Sequence, residues 1–256
     1  MTNLAGRLDS ASLRINWHES PWDSALLGFP ALNITEIAVT GPGAAAEFSV
    51  FERARSYCGS RFVTCRLAAD RHVESMLLES AGFRIIEMVC QPVLMGLHRT
   101  VLPAFQALEV AECRTDDLAT VETIAGTAFG HERFHADFRL PRGIGDARYR
   151  NWVRASLAHP RQRLHVLREA GQPVAFFITE KLEDGTTHWH LNAVAPGVQG
   201  RGIGRRAWLT MIERAKRDGA TRVRSSIVMR NLRVLNLYAS LGFRFEAPSM
   251  TFHWVG

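Results

Sequence analysis

The chain has 256 residues, of which 46% are hydrophobic and 22% charged, a composition that allows a packed core and excludes a disordered protein. No apolar run approaches the ~20 residues of a membrane span. The first ten residues lack the apolar core of a signal peptide, so we expect a cytoplasmic protein with no membrane partner. The net charge is +6 and the positive residues are almost all arginine, which favours an anionic ligand.

Nucleic acid is not the expected anion, because no basic run is interleaved with aromatic residues and no zinc-finger spacing occurs. A phosphate-rich small molecule agrees with the same charge excess. The four cysteines form no C-x-x-C pair and have no metal-type spacing. We therefore expect reduced thiols and no metal site.

The sequence divides into two halves, and Pro103 marks the connection between them. We predict a first domain over residues 1–102 and a second over residues 103–256. Periodicity, caps and turn residues in the second half predict a complete α/β unit with a long polar loop over residues 130–145. Its predicted elements are a strand at Ala107–Cys113, a helix from Thr115 to Phe129, a helix through Tyr149–Leu157, strands at Arg163–Glu169, Pro173–Lys181 and Thr187–Ala195, a helix at Gly204–Asp218, a strand at Arg222–Val228, a helix at Leu232–Ser240 and a strand at Ser249–Trp254.

A weak internal repeat relates the two halves. Segment 61–84 and segment 222–244 each read as a strand and then a helix that ends in Gly-Phe-Arg, with Gly242 as a left-handed cap. The repeat predicts a related strand-helix-strand unit in each half. The first copy has no Gly-rich loop, so it is predicted to be degenerate and to bind no ligand of this type.

The strongest chemical signal is segment 194–205, VAPGVQGRGIGR, which follows a predicted strand and opens a predicted helix. Small residues let backbone N–H groups turn toward one point, and the helix N-terminus adds partial positive charge. Such a loop suits a pyrophosphate. The order of the glycines is neither G-x-G-x-x-G nor that of a P-loop, which excludes both nucleotide motifs.

Segment 199–204 resembles the Q/R-x-x-G-x-G/A signature of the GNAT (Gcn5-related N-acetyltransferase) superfamily. Asn231, then Tyr238 and Gly242-Phe243, resemble the downstream N…Y…G-F pattern of that family at its usual spacing. The resemblance covers residues 105–256 and implies an N-acyltransferase that uses acetyl-CoA, with no metal. The residues it implies for the coenzyme are Ala193, Val194, Gln199, Gly200, Arg201, Gly202, Ile203, Gly204, Arg205, Asn231 and Tyr238.

A narrower likeness is to the TDP-fucosamine acetyltransferase subgroup, whose members acetylate the amine of a nucleotide-linked amino sugar. It rests on short motifs that are scattered along the chain. These are Trp22-Asp23-Ser24 with Leu27-Gly28, Arg133–Asp137, Tyr149 with Trp152, and His253-Trp254. The likeness implies an α/β fold of tandem GNAT-like lobes, each with a mixed, mainly antiparallel sheet flanked by helices, in which the N-terminal lobe is degenerate. It also implies a small-molecule amine acceptor. The segment before Asn231 departs from the Thr-Gln often found there in that subgroup, which leaves the acceptor open.

The reaction implied by the resemblance needs a leaving-group proton, an oxyanion donor and a base. Tyr238 resembles the general acid of the family, and a phenol with a pKa near 10 stays protonated at neutral pH. The backbone N–H of Val194 is the expected oxyanion donor. His190 is the candidate base, because alternation along the strand predicts that His188, His190 and Asn192 share one face. Packing against neighbouring strands explains the histidines as well.

The candidate acceptor-binding residues are His135, Asn192 and His253. Three further functions stay open at this level: acyl transfer from an acyl carrier protein, action on a malonyl thioester, and a non-catalytic acyl-CoA-binding module. A homodimer also stays open, since the sequence carries no readable signal of oligomeric state.

Overall fold

We describe a computed structural model of the protein over residues 4–256. The chain forms two compact units, and each is discontinuous in sequence. The first unit comprises residues 4–89, 136–144 and 247–256, and the second comprises residues 90–135 and 145–246. The predicted boundary at residue 102 stays a prediction.

The first part of the chain, through residue 95, contains six strands and three helices. They are β1 (Ala5–Asp9), β2 (Leu13–Glu19), α1 (Pro21–Leu27), β3 (Ala31–Val39), α2 (Ala44–Tyr57), β4 (Phe62–Ala68), α3 (His72–Ser80), β5 (Arg84–Cys90) and β6 (Pro92–Met95).

The second part of the chain carries eight strands and five helices. They are β7 (Glu109–Glu112), α4 (Thr115–Ala128), α5 (Arg133–Ala136), α6 (Ile144–Ala158), β8 (Gln162–Glu169), β9 (Gln172–Lys181), β10 (Thr186–Val194), α7 (Ile203–Arg217), β11 (Arg222–Ser225), β12 (Ile227–Val228), α8 (Leu232–Ser240), β13 (Arg244–Phe245) and β14 (Ser249–Val255). Short 3₁₀ turns occur at Leu97–Arg99 and Pro196–Val198.

The sheets of the two units share the topology of six strands, and the second unit has β7 as an additional edge strand. In the first unit the strand order is β1-β2-β3-β4-β14-β5, and in the second it is β7-β8-β9-β10-β11-β6-β13. Neighbours are antiparallel except β3 with β4 and β10 with β11, the pairs joined by helices α2 and α7. The mixed, mainly antiparallel tandem architecture that the resemblance implies is thus confirmed.

Each sheet also contains one strand from the other half of the chain. Strand β14 lies between β4 and β5 in the first unit, and β6 lies between β11 and β13 in the second. The strand-helix-strand repeat is present in both units as β4-α3-β5 and β11-α8-β13, and Gly82 and Gly242 both have left-handed backbones (φ +86° and +83°).

The sheet of the second unit is covered on both faces. On the face called here the α7 face, residues such as Phe177, Trp189 and Val223 pack against helices α7 and α8. On the face called here the α4 face, Val166 and Ile178 pack with residues of α4 and α6. Strands buried on both sides are rich in apolar residues. Strand β10 contributes to both of these cores, and the Gly-rich segment begins at its end.

Candidate active site

The Gly-rich segment joins the end of β10 to the start of α7. Gly200 and Gly202 have left-handed backbones, with φ of +84° and +77°, and Gly202 is the N-cap of α7. A Cβ on Gly202 would meet no protein atom within 4 Å. The glycine is therefore required by the backbone conformation and not by crowding within the protein, since an L-residue is strained at this φ.

The N-terminus of α7 is uncapped and basic. No side chain caps it and its first turn contains no acidic residue. The first backbone N–H to enter the helical pattern is that of Arg206, which donates to the carbonyl of Gly202. The N–H groups of residues 203–205 have no acceptor among residues 4–256. Arg201 and Arg205 adjoin them. Orphan N–H groups, a helix dipole and arginines are features that favour an anion at a helix N-terminus, and binding there stays a prediction.

The equivalent helix of the first unit, α2, has the opposite character. Ser12 Oγ accepts from the N-cap N–H of Gly43 at 3.1 Å, and Glu47 lies in the first turn. The Glu47 carboxylate accepts from Ser10 Oγ and the Ser12 N–H. These groups and the negative charge already occupy the helix terminus, so an anion is disfavoured there.

Strand β10 has an edge that its parallel neighbour leaves unpaired. Pairing with β11 runs only from Thr186–Arg222 to Trp189–Ser225, whereas β10 continues to Val194. Residues 190–194 on this side are called here the open edge. Ala195 donates its N–H to Val174 on β9, so by alternation the N–H of Val194 points to the open edge. An extended amide-bearing chain can pair with such an edge.

Gln199 closes part of the open edge through its side chain. Its Nε2 donates to the Val194 carbonyl at 3.1 Å, and its Oε1 accepts from Arg233 at 3.0 Å. The side chain of Asn231 accepts from the Val234 N–H at 3.3 Å and so caps α8. The structure thus displays a helix-capping role for Asn231, and its contact with the coenzyme stays a prediction.

Tyr238 is buried on the α7 face, with 1% of its surface exposed. Its hydroxyl lies beside the side chains of Ser225, Trp208 and Asn192. Ser225 Oγ also donates to the Trp189 carbonyl at 2.9 Å, whereas Trp208 Nε1 has no partner at hydrogen-bond geometry within the described chain. Burial raises the pKa of the Tyr238 phenol above 10, against the effect of these polar neighbours. The phenol is therefore protonated at neutral pH.

A β-bulge at His190 divides β10 into two registers. Trp189 pairs with Thr179 and Leu191 with Ile178, so one extra residue stands on β10. Side chains after the bulge are shifted to the other face. Trp189 accordingly packs on the α7 face, whereas Leu191 and Ala193 pack on the α4 face.

The prediction that His188, His190 and Asn192 share one face is therefore wrong. Asn192 pairs with Phe177 and reaches Tyr238 on the α7 face. His188 pairs with Glu180, on the same face as Ile178, and its ring contacts that of His190 with centroids 4.5 Å apart. The two histidines thus lie on the α4 face, because simple alternation does not survive the bulge.

His190 and the buried Glu180 form a hydrogen-bonded pair. His190 Nε2 lies 2.8 Å from Glu180 Oε2, and Arg161 Nε lies 2.9 Å from the other carboxylate oxygen. Burial opposes ionisation of Glu180, but the hydrogen bond of His190 and the charge of Arg161 outweigh it and lower the pKa of the carboxyl. Burial, with the charges of His190 and Arg224, lowers the pKa of His188 to about 4. His188 is therefore neutral at pH 7.

The other two predicted acceptor contacts lie in different units. His135, in the second unit, places Nε2 2.8 Å from Asp146, and its ring is parallel to that of Tyr149. His253, in the first unit, is fully buried; its Nδ1 lies 3.0 Å from Asp137, a buried carboxylate that also pairs with Arg139. His253 has no surface available to a ligand in this conformation. Its acceptor role stays a prediction, as does that of His135.

Several residues of the candidate site carry no sequence signal of their own. Glu180, Ser225 and Trp208 belong to no motif, and only the three-dimensional contacts reveal them. No group of three metal-ligating side chains occurs between residues 4 and 256. Across the same range no helix has both the length and the apolar character to cross a bilayer.

In the second unit, a bulged strand of a mixed sheet diverges from its parallel neighbour and leads into an uncapped, Gly-rich helix start. Residues 123–243 match the family model described as Acetyltransferase (GNAT) family. This segment, 121 of the 256 residues, is thus similar to the acetyltransferases of the GNAT family.

A curated relative is the spore coat polysaccharide biosynthesis protein SpsD of Bacillus subtilis (strain 168), which is 21% identical over 243 residues, spanning 94% of this chain and 83% of that protein. A solved GCN5-related N-acetyltransferase from Sphaerobacter thermophilus has a TM-score of 0.64 at 14% identity, over 96% of this chain and 81% of that one. A tandem GNAT protein from the clavulanic acid biosynthesis pathway has a TM-score of 0.61 at 12% identity, over 94% and 78%. At these identities the structures show the fold alone.

Proposed function

We propose that the second unit binds acetyl-CoA and transfers its acetyl group to a primary amine of a small molecule. The observation that carries the proposal is the combination of the open edge of β10 with the uncapped, basic N-terminus of α7. The pyrophosphate would accept from the N–H groups of residues 199–205, and the pantetheine amides would pair with Ala193 and Val194.

The faces of β10 suit the two proton transfers of this reaction. The amine nitrogen attacks the thioester carbonyl carbon, and His190 accepts a proton from the resulting ammonium. The negative oxygen of the tetrahedral intermediate accepts from the Val194 N–H. The C–S bond then breaks, and the sulfur takes the proton of Tyr238. Because His190 and Tyr238 lie on opposite faces, base and acid would act from opposite sides of the strand.

Glu180 supports the assignment of His190 as the base. A carboxylate next to Nε2 favours the tautomer with its proton on that nitrogen, which leaves the Nδ1 lone pair free to accept. The same carboxylate stabilises the imidazolium that forms. Glu180 is thus a positioning residue that acts through His190 and does not touch the substrate.

The acceptor class rests on two resemblances. The name of SpsD places that relative in polysaccharide biosynthesis, and the short motifs resemble the TDP-fucosamine acetyltransferase subgroup. We therefore propose an amino sugar, carried on a nucleotide, as the acceptor. Among the described residues of the first unit, the equivalent helix α2 carries Glu47 in its first turn and offers no such anion site, so only one coenzyme is expected per chain.

The test is a thiol-release assay with acetyl-CoA and a panel of amines that includes nucleotide-linked amino sugars, free amino sugars and amino acids. We expect coenzyme A release that depends on one amine class, together with one mole of acetyl-CoA bound per chain by calorimetry. Binding without release for any amine would favour the non-catalytic module. Release from acetyl carrier protein or malonyl-CoA, and none from acetyl-CoA, would replace the proposed donor.

A further inference from the structure

A second concave site lies in the second unit, at the C-terminal half of α7. It is a cleft of about 320 Å³ between α7 and the α7 face of strands β7 to β10. This volume is at the low end of the range for small-molecule pockets. Its lining residues are Glu112, Arg161, Arg163, His165, Thr179, Lys181, Thr187, Met211, Arg214, Ala215 and Asp218.

One residue in the lining of this cleft carries an unsatisfied polar atom. His165 is 7% exposed, and its Nε2 lies 3.0 Å from Thr179 Oγ1. Its Nδ1 is buried and has no hydrogen-bond partner within the described residues. A buried polar atom left unpaired costs about 1–3 kcal/mol. The atom would gain a partner if the imidazole turned toward a hydroxyl or amide of a ligand in the cleft.

The imidazole of His165 is neutral at pH 7. Burial, then the positive charge of Arg214, lowers the pKa of His165 to about 4. A neutral ring has one N–H and one lone pair, so Nδ1 offers either a donor or an acceptor according to the tautomer that Thr179 selects. The His165 ring is therefore a neutral polar group that can make a directional hydrogen bond.

The rim of the cleft is mainly cationic. It carries Arg161, Arg163, Lys181 and Arg214 against the carboxylates of Glu112 and Asp218. Asp218 lies 3.2 Å from Arg214 and 3.6 Å from Lys181, and Arg161 is paired with Glu180 outside the rim.

Arg163 differs from the other three cations. It donates to the carbonyl oxygens of Pro160 and Gln162 and pairs with no carboxylate across residues 4–256. Counting Glu180 with the rim, four cations face three carboxylates, which leaves an excess of one positive charge. A charged excess over a partly buried polar side chain favours an oxyanion.

We propose that this cleft binds a small metabolite through a carboxylate or phosphate group. The oxyanion would contact Arg163 and Arg214, and a neutral polar group of the same molecule would contact His165 Nδ1. The site is separate from the donor site: Gly202 and Arg214 are 12 residues apart on α7, which at 1.5 Å per residue is roughly 18 Å.

The test is a nuclear magnetic resonance titration of the full chain with inorganic phosphate and, separately, with acetate, at constant ionic strength. We expect saturable shifts of the His165 ring signals and of the Thr179 and Thr187 amides with at least one of the two anions. The anion that binds more tightly identifies the recognised group. Arg163→Gln should weaken the apparent affinity at least tenfold.

A matched control is Arg217→Gln, because Arg217 lies on the same helix and pairs with Glu213 away from the cleft. It should leave the titration unchanged. Chemical shifts that change linearly with both anions and do not saturate would overturn the proposal. Equal anion affinities of the Arg163 and Arg217 variants would overturn it as well. Acetyl-CoA affinity, measured on the same variants by calorimetry, should be unchanged, so a failure here is distinguishable from a failure of the donor site.

Discussion

Tyr238→Phe is the substitution that separates a catalytic phenol from a structural one. The side chain is 1% exposed, and the substitution keeps its ring in contact with Trp208 and Phe243. It removes one hydroxyl beside Ser225, Asn192 and Trp208. Ser225 keeps its bond to the Trp189 carbonyl and is not orphaned. The cost in unfolding free energy should therefore be about 1 kcal/mol, the net worth of one hydrogen bond, which a domain of ordinary stability tolerates.

The effect on turnover should be much larger than the effect on folding. A general acid contributes roughly 10²–10⁴ in rate, which is about 3–5 kcal/mol of barrier at 1.36 kcal/mol per decade. The assay follows coenzyme A release at saturating acetyl-CoA, with donor affinity measured by calorimetry and folding by urea denaturation. Tyr57→Phe, at a position 95% exposed, is the control for the chemical change. Wild-type turnover in a folded Tyr238→Phe protein would refute the assignment, because water or another group would then protonate the thiolate.

The other predictions concern the donor site, the base and stability. Gly202→Val should weaken acetyl-CoA binding at least tenfold by calorimetry. Gly59→Val, at φ +69° with equally open space in the first unit, imposes similar strain and should leave that affinity unchanged. Glu180→Gln should lower kcat and shift the pH profile that reports His190, with little change in donor affinity; an unchanged profile would mean that the carboxylate has no positioning role. The pKa of His165, about 4 against an ordinary 6.5, means that the unfolded chain takes up a proton first as the pH falls. Stability from this residue is therefore present above pH 6.5 and declines by about 3 kcal/mol toward pH 4. The free energy of unfolding, measured with urea, should change less with pH over this range in His165→Gln than in the wild type. Equal pH dependence of the two proteins would contradict the lowered pKa.

Individual helices and their ends could be predicted from the sequence because the residues that determine them are close together in the chain. The helix predicted at Gly204–Asp218 is α7 at Ile203–Arg217, and the helix predicted at Leu232–Ser240 is α8 with the same bounds. Gly242 has the left-handed backbone that its position after α8 predicted. Caps, glycines and apolar spacing act over a few residues, so they locate elements within one or two positions.

Long-range pairing was not readable in the same way. The strand predicted at Ser249–Trp254 exists as β14, yet nothing in its pattern indicates that it pairs with β4 and β5, more than 150 residues away in sequence. An alternating apolar strand suits any half-buried position in either sheet. The partner of β14 is decided by tertiary packing, which leaves no mark on the strand itself. For the same reason the sequence did not predict that Glu180 would be paired with His190.

The bulge at His190 shows how one residue changes the chemistry that a strand can support. Unbroken alternation would place Asn192 beside His188 and direct it away from Tyr238. The extra residue moves Asn192 to the α7 face, next to the phenol, and leaves His190 with Glu180 on the α4 face. Strand β10 also stops pairing with β11 at Trp189, the residue before the bulge. A bulge bends its strand and increases the local twist, so it accounts for both the open edge and the division of the polar groups. The proposed acid, base and donor-binding edge thus depend on the same local irregularity.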